Sequence, residues 1–164
     1  MDVVRLRIPY AFIRGRVRMD WRDIAFGLKE ELLDPAAPTQ LAAELVNEDS
    51  SDSTLIELAG LSGSEDARAC VDELATREGE PALAEVRAKW LCVVLTWIFE
   101  HRDEYADPLG AVEEVYADFD YPERIASFVR YMPSDAPDLG TRELNEKRLY
   151  ANWERYLQEC CEGR

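Results

Sequence analysis

Histidine is almost missing from this 164-residue chain, which holds only His101. A zinc site of the H-E-x-x-H type is therefore excluded, since it needs two histidines one helical turn apart. Any Ser-His-Asp or Cys-His arrangement would have to use His101. That residue follows an apolar run and is flanked by Glu100 and Arg102, which places it at a helix end near solvent, where a cation suits the macrodipole. Glycine-rich phosphate loops are absent too: neither G-x-G-x-x-G nor G-x-x-x-x-G-K-[ST] occurs, so phosphate cradling has no support. The four cysteines, Cys70, Cys92, Cys160 and Cys161, form no C-x-x-C pair. Their spacings do not fit a zinc site. Cys92 lies inside the apolar run and reads as a reduced, buried thiol, which fits a reducing compartment. Long apolar runs are lacking as well. The most apolar, Trp90 to Phe99, has ten residues, and a spanning helix needs roughly twenty. The N-terminal apolar stretch is broken by Arg7, Pro9 and Arg14, unlike a signal peptide. These absences predict a cytoplasmic protein without a membrane segment.

What is present is acid. Thirty-four Asp and Glu stand against 19 Lys and Arg, a net charge of −15. The imbalance is uneven. Residues 1–18 hold five arginines against Asp2 alone, a net +4, which leaves −19 for residues 19–164. Such a body repels nucleic acid, because affinity for phosphate needs Lys and Arg. It attracts cations or a basic protein, less strongly as salt rises. With 47% hydrophobic residues the chain has the composition of an ordinary globular domain and length for one core. The expected organisation is a basic N-terminal arm or short strand over residues 1–18, followed by one acidic domain over 19–164. Met19 could be an internal start, in which case residues 1–18 would be an extension.

From Asp20 onward the pattern is helical. Asp20 is a cap for a helix with Trp21, Ile24, Leu28 and Leu32 on one face. Asp34-Pro35 and Asp107-Pro108 each read as a cap followed by proline in the first turn. Residues 47–53 are polar and loop-like, and a short helix follows from Thr54. Ser64, Glu65 and Asp66 open the next, with Val71 and Leu74 inward. The helix from Pro81 to about Tyr105 is apolar nearly all round in its second half, which predicts burial on most sides. Thr96 is expected to bond a preceding carbonyl. Pro122 opens a helix carrying Ile125, Phe128, Val129 and Met132, and Pro133 stops it. Thr141 caps the last helix, with Leu149, Trp153, Tyr156, Leu157 and Cys160 at helical spacing. The fold expected is all-α: an irregular helical bundle, or a short α-solenoid-like array, of seven to eight helices around a buried central helix.

The chemistry-bearing segment is Asp107 to Met132, with six carboxylates against two arginines and five aromatics. Asp118-Phe119-Asp120 starts like a calcium loop, but Tyr121-Pro122 breaks it. Glu113, Glu114, Asp118, Asp120 and Glu123 could furnish an acid and a base for hydrolysis, although nothing in the sequence forces a raised pKa. Glu114 and Asp118 share a helix face, at a cost of a few tenths of a kcal/mol. Tyr116, Phe119, Phe128 and Tyr131 read as core, whereas Tyr121 fits neither helical stripe and belongs at the surface. Arg124 or Arg130 would neutralise part of the acid. The residues left for a contact surface are Glu114, Asp118, Asp120, Tyr121 and Glu123, with acids steering encounter and an aromatic as anchor.

The string from Asp107 to Pro133, together with WRDIAFGL (21–28) and KWLCVVLTWIFEHRDEY (89–105), resembles the bacterial family catalogued as domain of unknown function 2247. The resemblance covers most of residues 19–157 and implies no catalytic residue, metal or cofactor. In size and charge the chain is similar to bacterial immunity proteins, which neutralise a partner toxin; its arginine-rich start is no part of that pattern. The function expected is a non-enzymatic, acidic protein-binding module of immunity type, with a basic toxin domain as partner. A carboxylate-based, metal-dependent enzyme and a homo-oligomeric structural protein are the alternatives.

Overall fold

The computed structural model describes residues 6–62, 66–133 and 136–162, with side chains up to Cys160. Among them the chain is all-α, with eight α-helices, two 3-10 helices and no named strand. It divides into two compact units, Met1–Trp90 and Leu91–Arg164.

The first unit begins with Ile8, fully buried and in a lone parallel bridge to Leu33. Its N–H donates to the Leu32 carbonyl and its own carbonyl accepts from Asp34. A single helical turn, α1 (Tyr10–Ile13), follows. Val3, Val4 and Arg5 lie outside the described residues. Helix α2 (Trp21–Lys29) starts as expected on Asp20, and the cap is reciprocal: the Asp23 N–H donates to Asp20 while Asp23 accepts the Asp20 N–H. Two of the four orphan donors of the helix start are handled this way. Helix α3 (Ala37–Leu45) corrects the reading of Asp34-Pro35. Asp34 Oδ1 accepts from the Ala36 N–H at 2.8 Å, an Asx turn rather than a cap, and the helix proline is Pro38. A short aspartate side chain competes for nearby backbone donors in just this way.

Helix α4 (Ser53–Ala59) is capped by Asp52. Helix α5 (Arg68–Arg77) buries Cys70, Val71 and Leu74. Its expected start at Ser64 and Glu65 falls outside the described residues; Asp66 accepts the Arg68 N–H. Arg77 joins the two helices, reaching Asp52, Glu73 and the hydroxyl of the buried Thr54.

Helix α6 (Leu83–Glu100) crosses the boundary between units. It is shorter than the expected 81–105 span, ending at Glu100 before a 3-10 turn at Arg102–Glu104. Leu91 to Thr96 and Ile98 are all buried, so burial nearly all round is observed. Thr96 bonds the Cys92 carbonyl at 2.7 Å, as its mid-helix position required. His101 ends the helix half-buried: its ring stacks on Trp97 and its Nδ1 lies 2.8 Å from the Trp97 carbonyl.

In the second unit α7 (Pro108–Asp118) has proline in its first turn as expected. The segment opened by Pro122 is a 3-10 helix, Glu123–Phe128, not the α-helix expected through Met132. Val129 is already extended, so the helix does not run on, and the chain makes only a separate turn closed by the Met132 N–H on the Val129 carbonyl. Helix α8 (Arg142–Glu162) starts on Thr141, whose hydroxyl accepts the Leu144 N–H. Trp153, Tyr156 and Leu157 are buried, and the Trp153 indole lies parallel to Phe128 and edge-on to Phe99.

Cys92 is not a free thiol. It is joined to Cys160 by a disulfide that fastens α8 to α6 across 68 residues of sequence. Cys70 is the buried free thiol among the described cysteines. Pairing over such a distance is not deducible from cysteine spacing. The free-thiol argument for a reducing compartment therefore lapses. No described helix is long and apolar enough to cross a membrane.

Candidate functional site

The corner between α7 and the 3-10 helix is built by a helix ending with an unusual residue. The Tyr121 N–H donates to the Tyr116 carbonyl at 2.8 Å and the Asp120 N–H to Ala117 at 3.1 Å. This pair of bonds is the Schellman stop, whose left-handed position is normally glycine. Here Asp120 occupies it at φ 63°, and Tyr121 follows at φ 55°. Two consecutive non-glycine residues in that region carry a steric cost of about 1 kcal/mol each. The result turns the chain sharply and sends the Tyr121 side chain outward, 59% exposed.

The sequence-selected residues all lie on this unit's surface. Glu114, Asp118, Asp120 and Glu123 are exposed, as is Tyr121. Among the described residues Glu114, Asp120 and Glu123 make no ion pair, and neither does Arg124.

Arg130 is committed elsewhere. Its guanidinium forks onto Asp107, at 3.1 and 2.8 Å, and onto Glu113 Oε1, at 2.9 and 2.5 Å. The expectation that Arg130 neutralises the corner is thus corrected: it ties the start of α7 to the residues after the 3-10 helix. Hydrogen bonding by Arg130 holds the Asp107 carboxyl below its ordinary range, and Asp107 in turn raises Arg130.

Tyr131 is the residue that sequence reasoning misplaced. It was read as core, yet it is 58% exposed. It stands beyond the last 3-10 residue, two positions before Pro133, where a helical stripe has no meaning; that proline was the available signal. Tyr116 is buried as expected. Tyr121 meets it edge-on at 5.3 Å, and Tyr131 lies tilted at 6.1 Å. Desolvation, followed by Tyr116, Tyr121 and Glu113, raises the Tyr131 phenol above its usual value. Among the described residues no three His, Cys, Asp or Glu side chains are grouped to hold a metal.

The first unit has a concavity of its own, about 870 Å³, between α2, α5 and the start of α6. Phe26, Leu83 and Val86 give it apolar walls, while Lys29 and Arg68 face Asp72 and Glu80 around it. Charge of both signs gives it no preference for one ligand class.

A family model for an uncharacterised protein conserved in bacteria, domain of unknown function 2247, matches residues 10–160. The chain belongs to this family. The matched span holds the corner residues, Cys92 and Cys160, and most of each unit. Neither the curated proteins nor the solved structures hold a significant match to the chain.

Proposed function

We propose that this member of family 2247 is an acidic protein-binding module, of immunity type, that occludes a basic toxin domain through the α7 corner. The carrying observation is that, among the described residues, Glu114, Asp120 and Glu123 are exposed without ion pairs on the same unit that exposes Tyr121, while Arg130 is engaged by Asp107 and Glu113. Unpaired surface acids cost little alone and gain when a cationic surface approaches. The overall −15 charge adds long-range steering to such a partner. Acids spread around a corner, rather than converging, suit a contact surface better than a proton-transfer site, which needs an acid and a base within reach of one atom.

The test first asks whether a gene beside this one encodes a basic toxin domain: none there removes the immunity reading, and one found there is titrated against this protein. The parent should bind it with an on-rate that falls as salt rises. Glu114→Gln, Asp118→Asn, Asp120→Asn and Glu123→Gln together should weaken binding about tenfold or more, a loss of about 1.4 kcal/mol, with an unchanged melting temperature. Unchanged affinity removes the corner assignment. A cytoplasmic location belongs to the same proposal. The Cys92–Cys160 disulfide weighs against it, because disulfides persist mainly in oxidising compartments; thiol trapping in intact cells decides the point.

A further inference from the structure

Helix α8 is long and lightly held. Over residues 142–160, Trp153, Tyr156 and Leu157 are buried, and the other side chains are half-buried or exposed. Those three make its seat in the second unit. The Trp153 ring lies parallel to Phe128 of the 3-10 helix, with centroids 6.0 Å apart, and edge-on to Phe99 of α6 at 5.0 Å. Tyr156 meets Phe128 at 5.7 Å, and the Asn152 side chain donates to the Ser127 carbonyl at 3.0 Å. Helix α8 and the 3-10 helix are therefore one packed pair, with the fully buried Phe128 between them.

The seat has a defect. Trp153 is fully buried, yet among the described residues its indole N–H has no acceptor. A buried donor without a partner has given up water and gained no bond in return. That cost favours lifting α8 until the N–H meets solvent. Apolar burial of the three side chains opposes the lift, and the disulfide adds a tether. Cys160 lies beyond Leu157, the last buried residue of the helix among those described, and the intervening Gln158 and Glu159 are exposed. This end of α8 is thus fastened to α6 by the bond to Cys92 rather than by burial. The two cysteines also differ in access. Cys92 is buried at 4% exposure, whereas Cys160 is half-buried at the helix end. Access selects the sulfur that an incoming thiolate attacks, and here it selects Cys160.

We propose that the Cys92–Cys160 disulfide is a redox latch that sets whether α8, and with it the 3-10 helix at the corner, is held in place. The reductant is a dithiol. Its thiolate attacks Cys160 Sγ, the Cys92–Cys160 bond breaks, and Cys92 leaves as a thiolate that takes up a proton. The second thiol of the reductant then attacks the mixed disulfide and releases Cys160 as a thiol. Two electrons pass to the protein, and the reductant departs as its own disulfide. Freed at its end, α8 lifts from Trp153 onward, and Phe128 loses two ring partners. The 3-10 helix then loosens, because its hydrogen bonds are poorly aligned and depend on packing. Glu123 opens that helix, so the shape of the corner follows the redox state. The latch stands whether or not the corner binds a toxin domain.

The experiment compares amide hydrogen exchange in the full chain before and after treatment with dithiothreitol, well below the melting transition. Cys161→Ser serves as the background, which removes a competing thiol, and alkylation followed by peptide mass spectrometry reads the state of Cys92 and Cys160. Reduction should lower protection at least about tenfold over residues 153–160 and over residues 123–129, while residues 91–98 of α6 stay protected. The Trp153 indole N–H should exchange faster in the same step, and oxidised glutathione should restore all of it. Cys160→Ser should show the loosened pattern without reductant and no response to it. The reductant arm leaves both sulfurs in place, so it decides the matter even where Cys160→Ser does not fold. Unchanged protection over residues 153–160 would overturn the latch and leave a staple. Loosening of α8 with residues 123–129 unchanged, loss spreading equally through α6, or free thiols at Cys92 and Cys160 in oxidised glutathione would each overturn it too.

Discussion

Asp120 turns the backbone at φ 63° in a position that glycine ordinarily fills. Replacing it with glycine relieves the Cβ clash of the left-handed region, but adds freedom to the unfolded chain. We expect Asp120→Gly to raise stability by about 0.5–1 kcal/mol, read from urea unfolding, and to bind the basic partner less tightly. A destabilised variant contradicts the strain argument. Asp107 is the second residue whose effect is specific. Bonding to Arg130 lowers its carboxyl below the ordinary 3.8, so its contribution is complete above that value and fades as pH falls through the folded value. Asp107→Asn should therefore flatten the acid limb of the stability curve below about pH 4 and leave its neutral shape intact. An unchanged acid limb would show that the Arg130 fork contributes nothing to folding. Both residues sit in a segment whose apolar positions were legible from spacing, as Tyr116 and Phe128 show. The left-handed turn was not legible, because nothing in Phe-Asp-Tyr-Pro distinguishes an aspartate that caps the next helix from one that ends the previous one.

Among the elements, α2 and the first half of α6 show how a helix is fixed by a single small residue. Gly27 lies against the Trp90 ring, and a Cβ there would overlap it. The close approach lets the Trp90 indole N–H donate to the Asp23 carbonyl at 2.8 Å, while Lys89 reaches the buried Asp23 carboxylate at 2.6 Å. The Asp23 carboxylate thus serves both the α2 cap and the Lys89 pair. Gly27→Ala is expected to destabilise by about 1–3 kcal/mol through overpacking, although alanine is the better helix former by about 1 kcal/mol. Denaturant unfolding checks it, and a stabilised variant would mean Trp90 moves aside freely. The helices themselves were legible from caps and apolar spacing: Asp20 and Thr141 cap as expected, whereas Asp52, which caps α4, lies in a stretch that reads as loop. The Gly27–Trp90 approach was not, since 63 positions of chain separate the two. Nor was the 3-10 character of residues 123–128, which depends on where Val129 is held.

For the whole chain, the all-α architecture followed from the absence of period-two alternation and the recurrence of caps. The division near Trp90 did not, because α6 runs unbroken through it. The Cys92–Cys160 bond closes a long loop, and the chain-entropy model assigns it about 4 kcal/mol. Reduction, or Cys160→Ser, should lower the melting temperature by several degrees; an unchanged transition would show that α8 holds without it. Charge was the property most directly readable and is the one that makes a functional claim. The decisive measurement is therefore equilibrium titration of a basic toxin domain, sought among the products of the genes beside this one, against the parent and the variant neutralised at Glu114, Asp118, Asp120 and Glu123. The account predicts salt-sensitive binding by the parent and a loss of about tenfold or more in the variant, with both melting alike. Equal affinity of the two proteins would contradict it.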